Sequence, residues 1–209
     1  MILIPGMKTL RYAVGLLLFC IYGNALALGD PIRGEEKAKL CFECHVPQGQ
    51  TPDPMIPKLD GQQAEYIVRQ VLDYKSGRRP STIMREVAQI VSDMQDLLDI
   101  AAFYSNLETM QGSGEINQEV KRGEVIYLDY RCHFCHGEEA VAGTAFTSGA
   151  PLIGGQNKDY LEKTMLDIKM GRRPADIYNL MKRLLMRLSD KEIEALSAYV
   201  SSLQVTSNE

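Results

Sequence analysis

Histidine is scarce in this chain, with three residues among 209, at positions 45, 133 and 136. No site can therefore be built from a cluster of several imidazoles. Long apolar runs are scarce as well: the stretch from Tyr12 to Tyr22 falls short of the roughly 20 residues that a membrane span needs. An excess of basic charge is missing. The 23 Lys and Arg stand against 27 Asp and Glu, a formal net charge of −4, so the chain carries no nucleic-acid footprint. Cysteine is limited to five residues, Cys20, Cys41, Cys44, Cys132 and Cys135.

The N-terminus has the order of a secretory signal: Lys8 and Arg11, then the apolar run, then Ala25-Leu26-Ala27. Residues 1–27 are expected to be removed and the mature chain to reside in the periplasm. Loss of Lys8 and Arg11 moves the formal charge from −4 to −6 over the remaining 182 residues. Met7 is an alternative start. Cys20 lies inside the apolar run behind bulky Phe19, which argues against lipoprotein processing, and is expected to leave with the signal.

Four cysteines in an exported chain would ordinarily form disulfides. Their spacing points elsewhere. Cys41-Phe42-Glu43-Cys44-His45 and Cys132-His133-Phe134-Cys135-His136 both follow Cys-x-x-Cys-His, the attachment signature of c-type haem. Two thiols three residues apart reach both vinyl groups of one porphyrin, and the adjacent histidine is delivered to the iron. A thioredoxin-like pair would need a βαβ context, which is absent. Zinc would merge the two pairs into one site and leave two histidines over. His133, between two attachment cysteines, is expected to be a surface or packing residue.

The duplication extends past the motifs. Residues 57–80 align without gaps to residues 151–174, with 11 of 24 identical, so the chain is an internal repeat. The expected organisation is a signal over 1–27, a first domain over 28–107, a linker over 108–117 and a second domain over 118–209. In the linker, Gln111-Gly112-Ser113-Gly114 reads as flexible. Both domains read as all-α. A helix from about Glu35 to Leu40, and another from about Glu119 to Tyr130, should lead into each motif. Apolar stripes follow at Ile67, Val71 and Tyr74 and at Leu161, Met165 and Ile168. Capping boxes at Ser92-Asp93-Met94-Gln95 and Ser189-Asp190-Lys191-Glu192 should open the last helix of each domain.

Each motif histidine fills one axial position of its iron, and the cysteines are spent, so methionine sulfur is expected at the other. Met84 and Met181 each lie eight residues before the serine of the last helix, in equivalent places of the repeat. The rivals Met55, Met94, Met110, Met165, Met170 and Met186 lack a repeated counterpart or read as core filler. The expected metal ligands are thus His45 with Met84 and His136 with Met181.

These residues, with Pro57, Gly61, Gln62 and Tyr66 and their counterparts Pro151, Gly155, Gln156 and Tyr160, resemble di-haem cytochromes c of the cytochrome c4 type. The resemblance covers the whole mature chain. It implies two tandem class I cytochrome c folds, each around one covalently bound haem c. It further implies that Pro57 and Pro151 accept a hydrogen bond from the Nδ1 protons of His45 and His136. Arg78, Arg79, Arg172 and Arg173 would be partners of the haem propionates. The implied function is one-electron transfer between redox proteins, a donor complex and a terminal oxidase, without enzymatic activity of its own, since both irons are saturated. Ser81-Thr82-Ile83-Met84-Arg85 also resembles the di-haem subunit of flavocytochrome c sulfide dehydrogenases, in which a flavoprotein is the donor. Attachment to a membrane through a partner complex stays open. The acidic balance suits partners with a basic dock, and equally serves solubility alone.

Overall fold

The computed structural model describes residues 29–49, 51–138, 140, 149–175 and 178–204. The expected signal, Cys20 within it, and most of the loop after the second motif lie outside these residues. The described residues form helices and no strand, and no helix among them is long and apolar enough to cross a membrane.

In the first half, α1 spans Pro31–Ala38. It begins before the expected Glu35 because Asp30 accepts from the amides of Ile32 and Arg33 while Pro31 takes the first helical position, where its missing N–H costs nothing. Helix α2 spans Ala64–Ser76 and stops at Gly77, whose φ of 77° only glycine adopts freely. Helix α3 spans Thr82–Ile90 and is capped by Ser81, and α4 spans Met94–Ser105. Its expected box from Ser92 does not form. Asp93 is the cap, accepting from the Gln95 amide, and the Gln95 side chain turns forward to Asp99 instead of back.

The second half repeats this order. Helix α5 spans Gln118–Asp129 behind an Asn117 cap, and α6 is the single turn His133–His136. Helix α7 spans Lys158–Lys169, α8 Leu180–Leu185, and α9 Asp190–Ser202. Here the Ser189–Glu192 box closes in both directions, as expected.

Equivalent helices pack equivalently: α1 on α4 and α5 on α9, α2 on α4 and α7 on α9, α2 on α3 and α7 on α8. The terminal crossings depend on glycine. A Cβ at Gly34 would lie 2.0 Å from the Asp99 carbonyl oxygen, and one at Gly123 would lie 2.0 Å from that of Ala195. Any side chain there pushes the helices apart. The first core gathers Ala38, Ile67, Ile100, Ala101, Phe103 and Tyr104. The second is larger and includes Tyr127, Leu161, Met165, Ile168, Leu185, Ile193 and Leu196.

The stretch read as flexible is tied to the second half. The amides of Gly112, Ser113 and Gly114 donate to the carbonyls of Leu203, Ser201 and Ser202. A Cβ at Gly112 would meet two of those carbonyl oxygens at 2.4 Å. Its glycine serves close backbone approach, which composition alone does not separate from flexibility.

Candidate functional site

Helix α1 passes through a 3-10 turn, Lys39–Cys41, directly into the first motif. The amides of Cys44 and His45 donate to the Cys41 carbonyl, and those of Cys135 and His136 to the Cys132 carbonyl. Each motif is thus one helical turn, which puts its two sulfurs on one side with the histidine beside them. None of the four motif cysteines is in a disulfide, and all are half-buried. Burial pushes the Cys41 and Cys132 thiols up to about 11, the opposite of the depressed thiolate of a redox pair.

Both motif histidines are buried, with 9% and 7% of the surface of His45 and His136 exposed. Nδ1 of His45 lies 2.8 Å from the Pro57 carbonyl oxygen, and Nδ1 of His136 lies 2.9 Å from that of Pro151. A carbonyl only accepts, so Nδ1 carries the proton and Nε2 keeps its lone pair. Burial lowers the pKa of both rings against the opposing pull of the proline carbonyls, with Arg79 adding to the effect at His45. These are neutral imidazoles whose Nε2 lone pair is left available to a metal. Tyrosine hydroxyls brace the backbone alongside: Tyr104 donates to the His45 carbonyl at 2.8 Å and Tyr127 to that of Gly137 at 2.6 Å. His133 is half-buried and stacks against Phe134.

Met84 lies in the first turn of α3, where its amide is held by the Ser81 hydroxyl, and Met181 lies in the first turn of α8 against the second core. Both are half-buried. Among the described methionines this sets them apart. Met55, Met94, Met170 and Met186 are exposed, while Met110 and Met165 are buried, Met110 with its sulfur near the Gln156 amide.

The four arginines split. Arg78 and Arg172 are exposed and pair with Asp73 and Asp167 of the preceding helices. Arg79 and Arg173 are buried, 8% and 6% exposed, at the face where the two halves meet. Each reaches the tyrosine of the opposite half: Arg79 donates to the Tyr160 hydroxyl at 2.8 Å and Arg173 to that of Tyr66 at 2.7 Å. Both also donate to Gln70, at 2.6 and 2.9 Å. Burial opposes ionisation of Tyr160, but the guanidiniums of Arg173 and Arg79 bring its phenol down to about 7.

Sequence reasoning gave no role to the glutamines that fasten this face. Gln62 donates to the Leu152 carbonyl at 2.8 Å and accepts from its amide at 3.0 Å. Gln156 does the same with Lys58, at 2.9 Å in both bonds. The two pairs are related by the repeat, so the halves meet through a two-fold-like interface. The identities of residues 57–80 and 151–174 were the available signal, because a self-complementary face needs the same residues on both sides.

The donor set fits two c-type haems. Paired thiols outside any disulfide, a neutral histidine with its Nδ1 proton engaged, and a half-buried methionine occur in each half. Two buried guanidiniums lie side by side with no carboxylate on either among the described residues, and Arg173 Nε has no partner. Buried uncompensated cations of this kind suit the carboxylates that a haem carries.

Comparison with known proteins agrees. The Cytochrome c family model matches residues 120–204. Cytochrome c4 of Pseudomonas aeruginosa is 35% identical over 196 residues, covering 90% of this chain and 96% of the relative. The crystal structure of reduced recombinant cytochrome c4 from Pseudomonas stutzeri superposes with a TM-score of 0.75 at 32% identity, covering 84% of this chain and 100% of that one. The thiosulfate dehydrogenase electron acceptor of Stutzerimonas stutzeri is 26% identical over 176 residues, covering 79% and 80%. The all-α fold, the tandem class I architecture and the covalent haem c stand as read from the sequence. The chain belongs to the cytochrome c4 family, di-haem c-type cytochromes that transfer electrons and are not enzymes in their own right.

Proposed function

We propose that this chain carries single electrons in the periplasm through two haems, after removal of residues 1–27. The first is attached to Cys41 and Cys44 with His45 and Met84 as axial ligands. The second is attached to Cys132 and Cys135 with His136 and Met181. Domains over 28–107 and 118–209, joined by 108–117, would each hold one. The observation that carries this reading is the matched pair of buried histidines, each bound through Nδ1 to a proline carbonyl, on halves joined by a two-fold-like face.

Bound haem supplies the one-electron couple of its iron. The residues do the rest. Pro57 and Pro151 fix the imidazoles and increase their donor strength. Arg79 and Arg173 hold the haem carboxylates and, by reaching into the opposite half, keep the two sites in register for internal exchange. Arg78 and Arg172, neutralised by Asp73 and Asp167, brace the turn and do not take that role.

The test is the absorbance of the oxidised protein near 695 nm, where methionine sulfur on ferric haem absorbs, scaled to haem content. Two methionine-ligated haems per chain are expected. Met84→His and Met181→His should each remove half of the band, and an unchanged band in either would remove that assignment.

The partners are redox proteins. A donor complex delivering electrons onward to a terminal oxidase is the first reading. The second, as acceptor for a sulfur-oxidising enzyme, is favoured by the likeness to a thiosulfate dehydrogenase electron acceptor. Stopped-flow reduction by thiosulfate dehydrogenase separates the two.

A further inference from the structure

Asp60 is a buried carboxyl that the reading above leaves without a role. It is 2% exposed, and its carboxylate oxygens face the amides of Gln48 and Gly49 without a hydrogen bond of normal geometry to either. It lies three residues past Pro57, whose carbonyl accepts from Nδ1 of His45. On one flank is the turn Pro47–Gly49, which leaves the first motif, with Gln48 at φ 71° and Gly49 at φ 70°. A Cβ on Gly49 would lie 3.6 Å from Asp60 Oδ2. On the other flank is Tyr104, whose hydroxyl holds the His45 carbonyl. The backbone is pinned as well: the Met110 amide donates to the Asp60 carbonyl, and the Gly61 amide to that of Tyr104.

The neighbouring cation does not neutralise it. Lys58 directs its ammonium to the carbonyls of Gln111 and Gly155, at 2.8 and 2.9 Å, and makes no ion pair with Asp60. At the equivalent place of the second half stands Gly154, so the charge belongs to one site only. Burial raises the Asp60 pKa, while the amides of Gln48 and Gly49 and the charge of Lys58 pull it down.

We propose that Asp60 is a positioning charge that holds the first haem's reduction potential below the second's, so that electrons entering the chain settle in the second half. The proposal rests on His45 and Met84 being ligands of the first haem. A ferric site carries one positive charge more than a ferrous one, and a carboxylate in a poorly screened interior favours the more positive state. The exchange moves one electron from the first iron to the second and makes or breaks no bond. By reciprocity, oxidation of the first site draws the Asp60 proton off when one is present, releasing it to solvent.

The charged or titratable groups that face Asp60 are Lys58 and Tyr104, and Glu108 on the adjoining segment is exposed. Burial pushes the Tyr104 phenol far up, and Lys58 needs its protons for two carbonyls. Asp60 is then the group that changes charge.

The test is a spectroelectrochemical titration of the full-length holoprotein at several pH values. The ferrous methionine methyl resonances assign the two waves. The lower wave should belong to the first haem and fall as pH rises through the Asp60 titration, while the upper stays flat. Asp60→Asn should raise the lower wave alone by about 59 mV, a tenfold change in electron partition for a one-electron couple, and remove its pH slope. Asp60→Ala should do the same if the asparagine variant misfolds. A lower wave that belongs to the second haem, or waves that stay put in both variants while the melting temperature drops, would overturn the proposal and leave Asp60 as an anchor of the 47–49 turn. Absence of the Met84 methyl resonance from wild type would instead be a failure of the ligand assignment.

Discussion

The two halves of this chain share every helix pairing and differ in what fills the pairings. At the crossing of the first and last helices, the first half buries Asp99, fully covered, among Arg33, Lys37 and Gln95. The second half has Ala195 at the corresponding place, its carbonyl facing Gly123 as that of Asp99 faces Gly34, with Leu196 beside it inside a larger apolar core. One crossing is held by charge and the other by packing. A duplicated fold therefore preserves geometry, set here by Gly34 and Gly123, more strictly than it preserves the interactions that stabilise it.

The strongest way to break this comparison is to remove the haem from one half at a time. The Cys41→Ser/Cys44→Ser and Cys132→Ser/Cys135→Ser double variants should each fall from two haems to one per chain, read by pyridine haemochrome. The first should also lose more helical circular dichroism, because its smaller core depends more on a buried porphyrin. Equal loss in the two would contradict the difference in core size.

Next in size are changes at the helix crossings. Leu196→Ala should cost about 3 kcal/mol by leaving a cavity. Asp99→Ala should cost about 2 kcal/mol, since the loss of a buried partner is offset by cations that are partly solvated. The Arg33 hydrogen bond, aided by the Asp30 amide, Lys37 and Gln95 and opposed by burial, holds the Asp99 carboxyl well below its usual range. A depressed carboxylate contributes stability above its unfolded value, near 4, and loses it as pH falls toward the folded value. Wild type should therefore lose first-half stability on acidification below about pH 4, and Asp99→Asn should flatten that limb.

Smaller effects are expected at the face between the halves. Gln62→Ala and Gln156→Ala each remove two hydrogen bonds across the interface and should each cost about 1–2 kcal/mol. Because the pairs are related by the repeat, their costs should match within about 0.5 kcal/mol in chemical denaturation. A large difference would show the two-fold-like relation to be geometric only.

The haem motifs, their histidines and the repeat were legible in the sequence because covalent attachment fixes spacing, and spacing is what a sequence records. The split of Arg78 from Arg79, and of Arg172 from Arg173, was not, since adjacent residues on a turn point opposite ways and only the packed halves decide which is covered. The same limit hid Asp60 and the glutamines: their roles lie across the chain from their neighbours in sequence. Helix α2 shows why. Its stripe of Ile67, Val71 and Tyr74 was visible, yet Gln70 and Asp73 are buried with it, because a second face of the helix meets the other half and Arg78. The Ser92 cap failed for a local reason, the better-placed acceptor of Asp93 beside it.

The smallest expected effect concerns the surface beside Met84 and Met181. Around Met181 the chain places Lys182, Arg183, Arg187 and Lys191, and no carboxylate pairs with them among the described residues. Around Met84 the corresponding residues are Arg85, Glu86, Ile90 and Met94, with Ile83 and Ile90 each 69% exposed. The protein is acidic overall, yet the outer rim of its second site is basic, so an anionic oxidant should be drawn to that end despite the net charge. Arg183→Glu/Arg187→Glu should slow oxidation by hexacyanoferrate(III) a few-fold at low ionic strength, and the difference should vanish near 1 M salt, where screening acts within about 3 Å. Glu86→Lys, at the position matching Arg183, should leave the low-salt rate nearly unchanged if the anion enters at the second half. An acceleration as large as the loss at Arg183/Arg187 would mean that both ends serve equally, and that the charge difference between the halves plays no part in choosing a partner.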